Sequence, residues 1–211
     1  MALLGSSFIV ITLGTVMWLL TRKSFNRELS KRGGYLVVTI GWVVMSLIGT
    51  LPYMLSGEIL NFTDAFFETL SGFSTTGATI LEDIESVGKG VLLWRSMSQW
   101  IGGMGIIVLT VAILPILGIG GMQLFVAEAP GITPDKFQPR IKETAKRLWI
   151  IYIGFTGLEL IFLMVGDMTF FDALNHSLTT MASGGFSTKN SSIAYYDSAY
   201  IDCLLYTSPS P

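Results

Sequence analysis

Two short stretches hold the residue types most able to do chemistry. Residues 71–79 read SGFSTTGAT and residues 182–190 read ASGGFSTKN. Each sets a glycine among Ser and Thr, and neither contains a carboxylate. Glycine tolerates positive φ, so such a segment can turn successive main-chain carbonyls toward one side. Rings of carbonyls replace the hydration shell of a potassium ion. The expected ligands are the main-chain oxygens of Thr75, Thr76 and Gly77, with those of Ser183, Gly184 and Gly185. Ser74 and Thr79 flank the first set and support it. His176 is the only histidine; with no co-ligands it supplies a hydrogen bond behind the second set rather than a metal site.

Something must position these loops. Residues 62–72 (FTDAFFETLSG) are apolar enough to enter a membrane and too short to cross it. They read as a re-entrant helix, its first turn capped by Thr63 or Asp64, where an acid suits the positive helix end. The negative end then points at the glycine loop and favours a cation there. Non-helical backbone at membrane depth is tolerated only where protein buries it or it lines a wet cavity. An ordinary outer loop with a surface helix is the competing reading, and an internal repeat weighs against it. At an offset of 108 residues, without gaps, Asp64 meets Asp172, Ala65 meets Ala173, Leu70 meets Leu178 and Gly77 meets Gly185. Asp64 and Asp172 are expected as helix caps rather than ion ligands. The unit is membrane helix, pore helix, glycine-bearing loop, membrane helix, and such repeats would surround a central path.

Spans and charges fit that arrangement. Apolar runs at 3–20, 35–55, 91–117 and 148–165 approach the roughly 20 residues needed to cross a bilayer. The first is flanked by Arg22 and Lys23 on its far side, which marks a span with its N-terminus outside rather than a signal peptide. Of 13 Lys and Arg, ten lie in 21–34 and 118–147, whereas 55–90 carries Glu58, Asp64, Glu68, Glu82, Asp83 and Glu85 against Lys89 alone. Basic short loops stay in the cytoplasm, so 21–34 and 118–147 face inward while 56–90 and 167–195 face outward.

Composition agrees. The chain of 211 residues is 51% hydrophobic and only 13% charged, with a mean hydropathy of +0.61. About 25% charge is usual in soluble domains, so the class is an all-α membrane protein in contact with lipid. A net charge of −2 excludes a nucleic-acid binder, and a single Cys excludes a disulfide scaffold. A membrane-embedded enzyme would need a nucleophile–base pair at depth, which one His cannot supply. Gly102, Gly103 and Gly105 lack the preceding strand of a nucleotide loop and are read as helix-packing positions. Glu159 lies mid-span, either at a dimer contact or facing the bundle. Glu82, Asp83 and Glu85 would enrich cations at the outer mouth or simply solvate the surface. Trp18, Trp42, Trp94, Trp100 and Trp149 read as packing residues or interfacial anchors.

These residues resemble a known family. STTGAT (74–79), ASGGFST (182–188) and the helix WIGGMGIIVLTVAILPILGIGGMQLFVAEAPG (100–131) look like the Trk-type potassium uptake proteins. RELSKRGGYLVV (27–38) and PRIKETAKRLWIIY (139–152) favour the TrkH branch over the shorter KtrB branch. The resemblance implies potassium uptake through a pseudo-fourfold pore of four such units. It also implies a homodimer in the bacterial inner membrane and a cytosolic, nucleotide-binding regulator of TrkA type. Potassium would be the transported ion, with no organic cofactor.

The organisation expected is an N-terminal span and basic loop (1–34), a first repeat (35–117), a cytoplasmic linker (118–147) and a second, shortened repeat (148–202). Two filter segments are present where the family has four. After Cys203 the sequence LLYTSPSP departs from an apolar helix, so 203–211 is expected to be a non-native tail on a truncated reading frame. A non-conducting fragment or accessory subunit is the alternative function on that account.

Overall fold

The structure, a computed structural model, describes residues 2–21, 31–117 and 137–207. Every regular element among the described residues is helical: α1 (Ala2–Thr21), α2 (Lys31–Gly49), α3 (Leu51–Ser56), α4 (Phe62–Phe73), α5 (Lys89–Leu117), α6 (Phe137–Val165), α7 (Phe170–Met181) and α8 (Ala199–Thr207). A 3-10 turn, Ser192–Tyr196, precedes α8. Gly118, Gly120, Gly121 and most of the expected linker lie outside the described residues.

The two short helices reproduce the repeat. α4 and α7 have 12 residues each, about 18 Å of helix at 1.5 Å per residue, too little to cross a bilayer. Their first residues, Phe62 and Phe170, and their last, Phe73 and Met181, are each 108 apart. α5 and α6 have 29 residues each, about 44 Å and ample for a span. Val38–Ser56 and Glu143–Val165 are long and apolar enough to cross a membrane.

The expected span over 35–55 is present with a one-residue break inside it: α2 stops at Gly49 and α3 restarts at Leu51, with Pro52 in its first turn. Proline has no N–H to continue the ladder, and Thr50 closes the gap by donating its hydroxyl to the Leu47 carbonyl at 2.7 Å. The helix that carries the fourth span begins at Phe137, inside the expected linker, because its polar start (QPRIKETAKR) is made largely of good helix formers. The caps are also different. Asn61 caps α4, accepting from the Thr63 N–H, and Thr169 caps α7, accepting from the Asp172 N–H. Asp64 and Asp172 sit inside the first turns, where they suit the positive helix end. Asn61 and Thr169 are themselves 108 apart.

Helix α5 lies between the two short helices, packing on both, and α6 packs on α7 and α5. Two adjacent glycines allow this. A Cβ on Gly102 would land on the carbonyl of Phe73 at the end of α4, and one on Gly103 would come within 3.0 Å of Ala182 at the end of α7. The packing role read for these glycines is the one they have. Trp94 donates to the Gly49 carbonyl at 3.1 Å and Trp100 to Thr156 at 3.0 Å, pinning α5 to α2 and α6. On α6, Tyr152, Thr156, Glu159 and Leu163 form one buried stripe at helical spacing. Glu159 therefore faces the bundle. The opposite face exposes Ile150, Ile153, Ile161 and Val165, an apolar surface suited to lipid.

Candidate functional site

The helices α4 and α7 end in the same backbone motif. The N–H of Thr75 donates to the Gly72 carbonyl and that of Thr76 to the Ser71 carbonyl, both at 3.0 Å. Ser183 and Gly184 repeat this with Thr180 and Thr179, both at 2.8 Å. This paired closure is a Schellman motif, whose turning residue adopts a left-handed conformation and is usually glycine. Here it is Thr75 (φ 55°) and Ser183 (φ 51°). A β-branched residue at such a φ is an outlier that the surrounding structure must hold in place.

Two residues on, Gly77 (φ 76°) and Gly185 (φ 80°) are left-handed again, with Thr76 and Gly184 between them outside that region. A backbone that alternates hand in this way swings successive peptide groups to a common side. Thr76, Ser183 and Gly185 are exposed, Thr75 and Gly77 half-buried, and Gly184 buried. The two loops touch: a Cβ on Gly77 would land on the carbonyl oxygen of Gly184.

Side chains from beneath fix each loop. Glu68, fully buried on α4, accepts from the Thr79 hydroxyl at 2.9 Å and from the Ile80 N–H at 3.1 Å. Its Oε1 also receives Arg95 Nε at 2.7 Å, an ion pair with both partners buried. At the matched position of α7 stands His176, whose Nε2 lies 3.5 Å from the Ser187 hydroxyl, the outer edge of hydrogen-bond reach. Thr79 and Ser187 are again 108 apart. Asp172 accepts from Thr188 at 2.6 Å and from Thr169 at 2.8 Å, tying the start of α7 to the far end of its loop. Ser74 and Thr76 share a hydrogen bond at 2.7 Å between their hydroxyls. Ser71 donates to the Ala78 carbonyl at 2.6 Å.

The two loops that carry the expected ligands thus meet at Gly77 and Gly184, and one of the expected oxygens is engaged by a side chain. The Gly184 carbonyl accepts from Gln99 Nε2 at 2.7 Å, and Gln99 Oε1 receives the Phe186 N–H at 3.2 Å. Sequence reasoning missed Gln99, Glu68 and Arg95 as supporting residues. The available signal was polarity within apolar helices, together with the 108-residue offset that pairs Glu68 with His176.

The acidic segment beyond the first loop is tied to the second. Asn190 accepts from the Ile84 N–H at 2.7 Å and donates to Asp83 at 2.9 Å. That hydrogen bond from Asn190 holds the Asp83 carboxyl below the usual carboxylate range. No cluster of three or more His, Cys, Asp or Glu placed to hold a metal occurs among the described residues.

Comparisons with known proteins converge on one group. The family model TrkH, described as a cation transport protein, matches residues 1–208. The Trk system potassium uptake protein TrkH of Escherichia coli K12 is 48% identical over 200 residues, covering 94% of this chain and 41% of the relative. TrkH of Vibrio parahaemolyticus is 45% identical over 199 residues, covering 93% and 41%. The Escherichia coli protein TrkG is 38% identical over 198 residues, covering 93% and 41%. The crystal structure of the potassium transporter TrkH from Vibrio parahaemolyticus matches with a TM-score of 0.83 at 40% identity, over 97% of this chain and 40% of that one. The chain thus spans about two fifths of the relatives it matches.

Proposed function

The chain belongs to the TrkH family of cation transport proteins, and on that premise we propose that its two loops are half of a potassium filter in a potassium-uptake subunit. The observation that carries this reading is the matched backbone of the loops. The same helix closure and the same left-handed positions recur 108 residues apart, at the ends of two short helices whose loops touch. The carbonyls of Thr75, Thr76, Gly77, Ser183 and Gly185 replace the water shell of a permeating ion. The Gly184 carbonyl, held by Gln99, serves the loop rather than the ion. The negative ends of α4 and α7 add to the cation's stabilisation, and the hydroxyl and carboxylate groups beneath hold the oxygens at fixed spacing. No covalent step is involved, so the relatives' description as transporters and this geometry lead to the same reading.

The reading extends to the setting. The protein crosses the bacterial inner membrane several times with the first residues of α1 on the outer side, pairs as a homodimer and supplies a basic inner segment, 118–147, to a TrkA-type regulator. The full-length protein carrying this segment, reconstituted in liposomes, is expected to take up rubidium, with potassium competing far better than sodium. Uptake no faster than in empty liposomes, or equal competition by both ions, would contradict it.

A further inference from the structure

We propose that Arg95 and Gln99, one turn apart on α5, lock the second loop to the first and thereby set ion selectivity. The inference rests on the filter reading above.

Neither residue belongs to a loop, yet together they hold three residues of the second one, Gly184, Phe186 and Ser187. Gln99 donates to the Gly184 carbonyl at 2.7 Å and accepts from the Phe186 N–H at 3.2 Å. The Arg95 guanidinium stacks over the Phe186 ring at 4.1 Å, and its Nη1 reaches the Ser187 carbonyl at 3.4 Å. On its other side Arg95 pairs with Glu68, the carboxylate that holds Thr79 and Ile80 of the first loop. One face of one helix therefore grips both loops.

There is little slack in the arrangement. A Cβ on Gly184 would land on the Gln99 amide, and one on Gly77 would land on the Gly184 carbonyl oxygen. A displaced Gln99 moves Gly184, and Gly184 moves Gly77. The anchoring also differs between the repeats. The second has His176 where the first has Glu68, and its own carboxylate, Asp172, holds only Thr188 at the far end of the loop, so Gly184 and Phe186 are held from α5. Discrimination between ions depends on how carbonyl dipoles are spaced and how freely they move, which makes a clamp outside the ion path a selectivity determinant.

The test uses the full-length protein with Gln99→Glu, which keeps size but turns a carboxylate oxygen toward the Gly184 carbonyl, and with Gln99→Leu and Arg95→Lys. Rubidium uptake with sodium as competitor should show the potassium preference reduced about tenfold, the ratio one lost buried hydrogen bond is worth. Ser96→Ala is the control, since the Ser96 hydroxyl bonds only within its own helix, to the Leu92 carbonyl. It should leave the preference unchanged. For variants with little uptake, thermal unfolding in detergent gives a second reading: potassium should stabilise wild type more than sodium does, and the variants should respond alike to both. Variants that lose uptake or stability but keep the potassium-over-sodium ratio would overturn the inference and reduce the clamp to a packing role. A wild type that neither conducts nor is stabilised by potassium would overturn the functional reading, and this inference with it.

Discussion

Gly77→Ala should reduce potassium uptake by roughly a hundredfold, while Gly185→Ala should cost only about tenfold. The two glycines are matched by the repeat and share a left-handed φ, 76° and 80°. A Cβ in that region costs about 1–2 kcal/mol at either position. Their surroundings differ. At Gly77 the added carbon would land on the Gly184 carbonyl oxygen, a main-chain atom held from behind by Gln99. Overpacking against something that cannot rotate away adds about 1–3 kcal/mol, and the total near 3 kcal/mol corresponds to about two decades. At Gly185 no atom of the described residues beyond its own chain neighbours lies within 4 Å of the added carbon, so the conformational cost stands alone. Rubidium uptake by the full-length variants, normalised to protein in the membrane, measures both. Equal losses would mean that the contact between the loops is irrelevant.

Gly102→Ala should destabilise the fold strongly, and Gly105→Ala should not. The Cβ on Gly102 would land on the Phe73 carbonyl, with the Phe73 carbonyl carbon and α-carbon close behind. α5 would have to lift off the end of α4, taking Arg95 and Gln99 with it. A cost of about 3 kcal/mol, at the upper end for overpacked sites, would consume much of the stability of a typical protein. On Gly105 the nearest atoms are the Trp42 ring at 3.7 Å and 3.8 Å, an ordinary contact. Size-exclusion profiles and melting temperatures of the two full-length variants should separate clearly. A well-folded Gly102→Ala protein would show that the crossing of α5 over α4 tolerates a shift.

What could be read from the sequence divides along physical lines. The pore helices and their register were legible because the same local pattern occurs twice, and a repeat filters out chance. The glycine positions followed for the same reason. The caps were misplaced by two or three residues, because several oxygen-bearing side chains compete at a helix start and only geometry decides which reaches a free N–H. The break at Thr50 was signalled by Pro52 but hidden within a uniformly apolar run. Gln99 and Arg95 were the least visible. They act on main-chain atoms 85 to 92 residues away, and nothing in their neighbours announces that target. Glu68 stood among the acids counted as outward-facing charge, yet it is fully buried. An ionisable residue in an apolar helix is expected to have a partner, and Arg95 on α5 was the available one.

The matched left-handed positions lead to one direct structural measurement. Crystals of the full-length protein grown in potassium and soaked with thallium should show anomalous density beside both loops. It should be bounded by the main-chain oxygens of Thr75, Thr76, Gly77, Ser183 and Gly185. Thallium held only at the carboxylates of Glu82, Asp83 and Glu85, with nothing between the loops, would contradict the account.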